Sequence, residues 1–365
     1  MTDRIVGTGG NITSWFEVWR ATVSNDLIED VSRFVSGGSM SMNRDRAITT
    51  EATFEMRDTS VVNPYVDYLA VFQNIVYEDG RAARREQVGL FGIRVPSGTR
   101  TVKVAEGVYS GSDISARMNR FAFTDVYNIA SGTNYVTAIA AILALGGVTR
   151  YDIEPTTKTA TTALTFAPGT TYLEAINTLL EAIGYFNLAA TPDGKALSRQ
   201  SLDVKYIEPV ATISDTDIIG AIDSQPTDTT VANIVIVIHQ NPNTAPLYAV
   251  RRNDDPSSPT STVVLGDLVR VESRSNLDGQ TATDALADRL LSESRTFYQT
   301  ASIRLLPNPQ VVVPGQTVDL ALTGKLAIYN GRWRIRTVSI GFDPAGAGPK
   351  LEINRVTDAI TGAII

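Results

Sequence analysis

The sequence predicts a mainly β chain with two α-containing interruptions. Ala52, Phe54 and Met56 alternate with Thr53, Glu55 and Arg57, a period of two that gives a strand one apolar face. Ile234 to Ile238 is apolar at every position, the pattern of a strand covered on both sides. Leu173, Ile176, Leu180 and Ile183 instead recur at helical spacing. At 365 residues the chain exceeds one comfortable core, so two to four domains are expected.

Residues 1–105 read as strands. Gly7-Thr8-Gly9-Gly10 reads as a flexible opening segment, with no strand before it and no helix after it to present to a phosphate. Tyr68 to Glu78 is a β-branched and aromatic run closed by Glu78-Asp79-Gly80, where Asp-Gly suits a tight turn. Val88 to Val95 reads as the return strand, Pro96-Ser97-Gly98 stops it, and Thr101 to Val108 resumes extended chain.

Residues 106–207 mix both periods. Asn134 to Leu145 carries Val136, Ile139, Ile142 and Leu143 at helical spacing, with Ser131 or Thr133 as cap and Gly146-Gly147 as stop. Thr171-Tyr172-Leu173-Glu174 has capping-box spacing, and Gly184 ends the helix it starts. Phe186 to Ala190 and Lys195 to Ser198, joined by Pro192-Asp193-Gly194, read as a hairpin.

Residues 208–248 and 298–365 return to β structure, with strands at Ile234 to Ile238, Val311 to Val313, Thr317 to Leu322, Trp333 to Phe342 and Leu351 to Val356. Between them, 249–297 reads as loop and helix. Asn253 to Pro259 is a loop and Val263 to Val271 a strand. Thr281 to Gln299 is a helix with Ala282, Leu286, Leu290 and Phe297 on one side, and Asp288, Arg289, Glu293 and Arg295 mostly on the other. An internal echo links the two ends. Leu69 to Val95 and Val318 to Ile340 each run apolar strand, turn (Tyr77-Glu78-Asp79-Gly80-Arg81 or Tyr329-Asn330-Gly331-Arg332), then a strand with Phe91 and Ile93 or Trp333 and Ile335. Two related β modules would leave this trace.

Composition narrows the chemistry. With no cysteine there are no disulfides, thiolate nucleophiles or Cys-zinc sites. A single histidine, His239, leaves little for a His-based triad. It ends an apolar strand before Gln240-Asn241-Pro242-Asn243 and reads as a strand-end residue facing solvent. Asp254-Asp255 and Asp267 offer oxygens to a hard cation but lack EF-hand spacing, and Asp before Pro starts turns. Asp215-Thr216-Asp217 lies where a loop enters a strand or short helix. Arg84-Arg85 beside Glu86 reads as a solvated turn, and Asn11-Ile12-Thr13 is a formal glycosylation sequon. No run approaches ~18 apolar residues, and Met1 to Ile5 has no apolar signal core. A net charge of −7 argues against broad nucleic-acid coating and suits a surface that DNA slides past. No catalytic, cofactor-binding or metal-ligating residue is assigned.

A family resemblance appears across residues 35–95. Gly37-Gly38-Ser39-Met40-Ser41-Met42 introduces an extended segment with Arg46 and Ala47, then the strand Thr50 to Arg57. Asn63-Pro64-Tyr65, a strand, Tyr77-Glu78-Asp79-Gly80, and Val88-Gly89-Leu90-Phe91-Gly92-Ile93 follow. That order resembles the first domain of phage minor tail proteins of the baseplate-hub type, with their G-S-V-S-V opening, P-Y corner and L-G-x-F-x-I strand. Phe166 to Ser198 is similar to the family's second domain, and Asn233 to Val237 to its N-x-V-x-V strand. Asp255 to Pro259 and the helix after Thr281 resemble its inserted segment. Pro314-Gly315-Gln316-Thr317-Val318 resembles the x-G-D-x-V strand of its closing barrel, with Gln316 where an acid is usual.

The resemblance implies two tube-like β-barrel domains, 1–105 and 208–248 with 298–365. They would be interrupted by two smaller α/β-containing domains, an α+β domain at 106–207 and an inserted loop–helix domain at 249–297. It implies a structural, non-enzymatic virion protein: a homotrimeric hub ring at the distal end of the tail tube, made in the host bacterial cytoplasm. Six barrels from three chains would meet a six-fold tube. Implied partners are distal-tail or tail-tube proteins on one side, tip or fibre proteins on the other, and DNA passing the lumen without sequence-specific binding. No cofactor and no membrane span are implied. Two alternatives stay open. One is a carbohydrate-binding adhesin, for which the three Trp, including Trp15 and Trp19, are the candidate platforms. The other is a tail-associated cell-wall hydrolase using carboxylates among the 39 acidic residues.

Overall fold

A computed structural model of the chain describes residues 3–7, 10–77, 81–98, 106–200, 207–226, 232–240, 245–258, 260–274, 277, 279–295, 299–307, 313–342 and 348–355. Its first strands are β1 (Asp3–Gly7), β2 (Gly10–Ala21), β3 (Leu27–Asp30), β4 (Val35–Asn43), β5 (Thr50–Met56), β6 (Tyr68–Tyr77), β7 (Arg84–Ile93) and β8 (Gly107–Ser112). A mixed stretch follows: α1 (Ile114–Arg120), β9 (Tyr127–Ile129), α2 (Tyr135–Leu145), β10 (Tyr151–Ile153), β11 (Leu164–Phe166), α3 (Tyr172–Ala182), β12 (Ala189–Ala190) and β13 (Ala196–Ser198). Next come β14 (Pro209–Ser214), β15 (Asp223–Pro226), β16 (Ile234–His239), β17 (Leu247–Arg252), α4 (Thr262–Leu265), β18 (Val269–Arg274) and α5 (Gly279–Arg295). The chain closes with β19 (Gln299–Arg304), β20 (Thr317–Ala321), β21 (Gly331–Gly341) and β22 (Lys350–Arg355).

Strands from both ends form one 14-stranded, largely antiparallel sheet. In the N-terminal set the pairing order is β2-β6-β7-β8-β5-β4; in the C-terminal set it is β14-β20-β21-β22-β19-β15. Ranked along the chain, both sets pair in the same order: first, fourth, fifth, sixth, third, second. The two hairpins of the sequence echo, β6–β7 and β20–β21, hold the same ranks. One pairing differs in direction, since β2 runs antiparallel to β6 while β14 runs parallel to β20. The segment from β14 to β15 touches both edges of its set: β14 pairs β20, Ile218 bridges Leu305, and β15 pairs β19. The sets join where Ser39–Asn43 of β4 pairs Thr337–Gly341 of β21.

Burial explains the strands. In β5, Thr50, Ala52, Phe54 and Met56 point inward while Glu51, Thr53 and Glu55 face water. Nearly every residue of β6 is buried because its two faces meet different clusters, Leu69 and Val71 on one and Ala70 and Phe72 on the other. One core contains Phe54, Phe91, Trp333, Ile335 and Leu351, so the two sets share it. Phe342 packs 5.4 Å from Phe16 and 5.6 Å from Phe54 at their junction.

The middle stretch has its own core, including Met118, Ile139, Ile142, Leu143, Ile176 and Leu180. Thr171 caps α3 by accepting from the Glu174 amide at 3.1 Å, and Gly184 leaves the helix with a φ of +78°. The cap of α2 differs from expectation. Asn134 accepts from the Val136 and Thr137 amides, while the Ser131 hydroxyl donates to the Thr161 carbonyl instead. The expected hairpin is present as β12 and β13.

The inserted unit starts earlier than its loop suggests. Expected in the second terminal module, β16 is the middle strand of a separate sheet, β17-β16-β18, with α5 packed on it. The expected strand from Val263 to Val271 is split: α4 comes first, Gly266 breaks it with a φ of +74°, and β18 begins at Val269. The long helix ends at Arg295, and Gln299 already belongs to β19. Gly7 and Gly10 lie in regular structure, for Gly7 of β1 pairs with Gly10 of β2. Thr8-Gly9, the turn at Glu78-Asp79-Gly80, residues 101–105, Asn241-Pro242-Asn243, Pro259, Phe297 and Val311-Val312 lie outside the described residues.

Candidate assembly surfaces and the arginine-lined cleft

A cleft of about 980 Å³ lies where the large sheet, α3 and the inserted unit meet. Arg44 follows β4 and Arg334 lies on β21; both approach Phe186, at 4.2 and 5.5 Å from the ring centroid. Arg44 also donates from Nη1 to the Pro314 carbonyl at 3.4 Å. Burial, then the charges of Arg334 and Arg199, lower its pKa to about 10. At neutral pH the group remains a buried cation stacked on an aromatic face. Glu181 of α3 accepts from Arg274 of β18 and Arg289 of α5, both at 3.4 Å. Arg336 meets Asp45 at 3.2 Å. These carboxylates are engaged by arginines, an arrangement suited to clamping units together.

The sequence candidates take structural positions. His239 is only 5% exposed, because it shares the inward face of β16 with Val235 and Val237. Among the described residues neither of its ring nitrogens has a hydrogen-bond partner, and no carboxylate orients it as a base. Asp254 accepts from the Thr262 hydroxyl at 2.5 Å and pairs with Arg252 at 3.4 Å. The Thr262 hydrogen bond first, and Arg252 after it, hold that carboxyl below its usual range. Asp255 accepts from the Ser257 amide and hydroxyl, and Asp267 meets Arg252 at 3.2 Å. Among the described residues no three potential metal ligands come together.

Asp217 accepts from the Ser214 amide at 2.8 Å and closes a capping box on one helical turn, while Asp215 accepts from the Thr323 amide and hydroxyl. Arg84 and Arg85 lie inside β7 and form no turn; Arg85 reaches Glu17 at 2.9 Å and lies 3.8 Å over the Phe72 ring. Asn11-Ile12-Thr13 lies within β2. Trp15 and Trp19 are half-buried on β2, and Trp333 is fully buried with its indole donating to the Tyr329 carbonyl at 2.8 Å. Sequence reasoning passed over Asp113, which caps α1 through Ser115 and takes the Thr49 hydroxyl at 2.6 Å. Burial pushes its pKa up. An Asp two residues before Ser at a helix start was the available signal.

Surfaces stand out more than pockets. Tyr65 is 77% exposed at a turn fixed by Asn63 and Asp67. A second exposed apolar group lies on β17, α4 and β18. Among the described residues, no helix is long and apolar enough to cross a membrane.

No protein-family model and no curated protein matches the sequence. Solved structures do match. A tail protein from Neisseria meningitidis MC58 is 15% identical, with a TM-score of 0.65 over 93% of this chain and 97% of that one. The 43 kDa tail protein of prophage MuSo2 from Shewanella oneidensis is 10% identical, with a TM-score of 0.65 over 94% and 98%. Prophage tail protein gp18 from Listeria monocytogenes EGD-e is 10% identical, with a TM-score of 0.55 over 94% and 96%.

The chain has the fold of phage tail proteins. The likeness runs through the large sheet, the helical middle and the inserted unit alike, since each match covers more than nine-tenths of both chains. In this tail-protein fold the arginine-lined cleft is the seam where those three parts meet.

Proposed function

We propose that the chain is a structural tail component, a homotrimeric hub ring at the distal end of a tail tube. The repeated strand order carries the reading. Two six-strand sets with one pairing order fit two tube-like barrels per chain, and three chains would then present six similar modules to a six-fold tube. The β14–β15 segment, which touches both edges of its set, supports closure of the second barrel. In this reading the α1–α3 unit and the β16–α5 unit are insertions. They leave the two modules as the ring-forming parts. Tail-tube proteins would cover one side and tip or fibre proteins the other. DNA would pass a lumen of a chain with net charge −7, which disfavours sticking. The protein would act in the virion, at the tail tip, and carry no enzymatic activity.

Negative-stain images of the purified chain test this. A three-fold ring with a central channel, able to bind a tail-tube or tip protein, is expected. A strict monomer at high concentration that binds neither would contradict it.

A further inference from the structure

The cleft between the large sheet, α3 and the inserted unit reverses the charge of the chain around it. The whole chain carries −7. Six arginines line the cleft, Arg44, Arg334 and Arg336 from the large sheet and Arg270, Arg274 and Arg289 from the inserted unit. Three acids line it with them, Asp45, Glu174 and Glu181. Glu272, which pairs with Arg270 at 3.2 Å and also meets Arg274, brings the acids to four. A surplus of two positive charges remains. Arg199, behind Arg44, adds nothing to it, because Asp152 meets Arg199 at 2.5 Å.

Arg44 is where the surplus is felt. Among the described residues it forms no ion pair, for Asp45 meets Arg336 instead. Its Nη1 donates to the Pro314 carbonyl, whereas its Nε and Nη2 are buried without a hydrogen-bond partner. Those two N–H groups point the same way and form the fork that takes two oxygens of a carboxylate or phosphate. Arg334, buried on β21, approaches the same Phe186 ring and repels Arg44. Leaving charged donors buried without an acceptor is costly, and an oxyanion beside Arg44 would offset that cost and the repulsion together.

We propose that this cleft binds a doubly charged oxyanion, a phosphate group or a dicarboxylate, which ties the inserted unit to the large sheet. The surplus of two charges sets the ligand's charge, and the unfilled fork sets its need for paired oxygens. Arg44 turns its fork toward the ligand, a side-chain change of the kind common on binding. Arg270 reaches the ligand from the inserted unit. At about 980 Å³ the cleft has room for such a group. Nucleic acid fits less well, since it needs Lys and Arg spread along a track and not two surplus charges in one recess. Every residue involved belongs to one chain, so the proposal does not depend on the trimer reading.

Equilibrium dialysis of the full chain against radiolabelled inorganic phosphate, at neutral pH and an ionic strength fixed with chloride, tests this. Saturable binding of one phosphate per chain is expected, with slower hydrogen exchange in β18 and α5 when it is bound. Arg44→Met keeps an apolar stem on Phe186 but removes the fork, and should weaken binding at least about tenfold without lowering the melting temperature in chloride. Arg270→Gln, on the exposed side of the cleft, should weaken it several-fold and decides the matter if Arg44→Met does not fold. Displacement of phosphate by succinate extends the site to dicarboxylates, and failure to displace it confines the site to phosphate groups; both support the proposal. No saturable phosphate binding, or binding that neither substitution weakens, overturns it and leaves the tail-protein reading untouched.

Discussion

Gly38 lies in β4 with a φ of +148°, and a Cβ there would fall 2.2 Å from the Thr53 carbonyl oxygen and 3.0 Å from the Phe342 ring. Gly38→Ala is therefore expected to cost about 2–3 kcal/mol, read as a lower denaturant midpoint. Asp193 offers a pH test. Burial opposes its charge, but hydrogen bonds from Thr191 and Lys195 and the charges of Lys195 and Arg150 hold its pKa below the usual range. A depressed folded pKa gives stability that is present above the unfolded value of about 3.9 and is lost as pH falls through the folded value. Asp193→Asn should thus lower stability by about 1 kcal/mol or less at pH 7, discounted for its partial exposure. Its melting curves should merge with the wild type's once the pH falls below the depressed folded value. At this scale the sequence is uneven. Thr171 and Gly184 were legible because caps are local signals, whereas His239 was misplaced because strand alternation, not strand-end position, decides which way it points.

Among the elements, α3 couples two units through one side chain. Glu181→Ala removes one partner of Arg274, which keeps Glu272, and one partner of Arg289. Hydrogen exchange is expected to quicken in β18 and α5 while β6 and β7 stay protected, and equal exchange in all four would refute the coupling. Trp333→Ala, which empties a fully buried site at the heart of the shared core, should cost about 3–5 kcal/mol by chemical denaturation. Most helices and the alternating strands were readable because their periods are local. The split of Val263 to Val271 was not, since it turns on Gly266 taking a positive φ. Nor was the removal of β16 from the large sheet, because an apolar run does not say which strands flank it.

For the whole molecule, the decisive feature is nonlocal. Asn43 pairs with Thr337, and the two strand sets share a core that no window of sequence displays. The echo between Leu69–Val95 and Val318–Ile340 hinted at two modules, but the full repeat emerged only as a pairing order. That order is the physical basis for reading the chain as a ring former whose working parts are strand edges and a channel wall. A cryo-electron map of the assembly formed by the purified chain tests this most directly. It should show three 39.4 kDa chains whose six strand sets, two per chain, surround one channel as near-equivalent modules. A map in which the two sets of each chain take unrelated positions, or in which no ring forms, would contradict it.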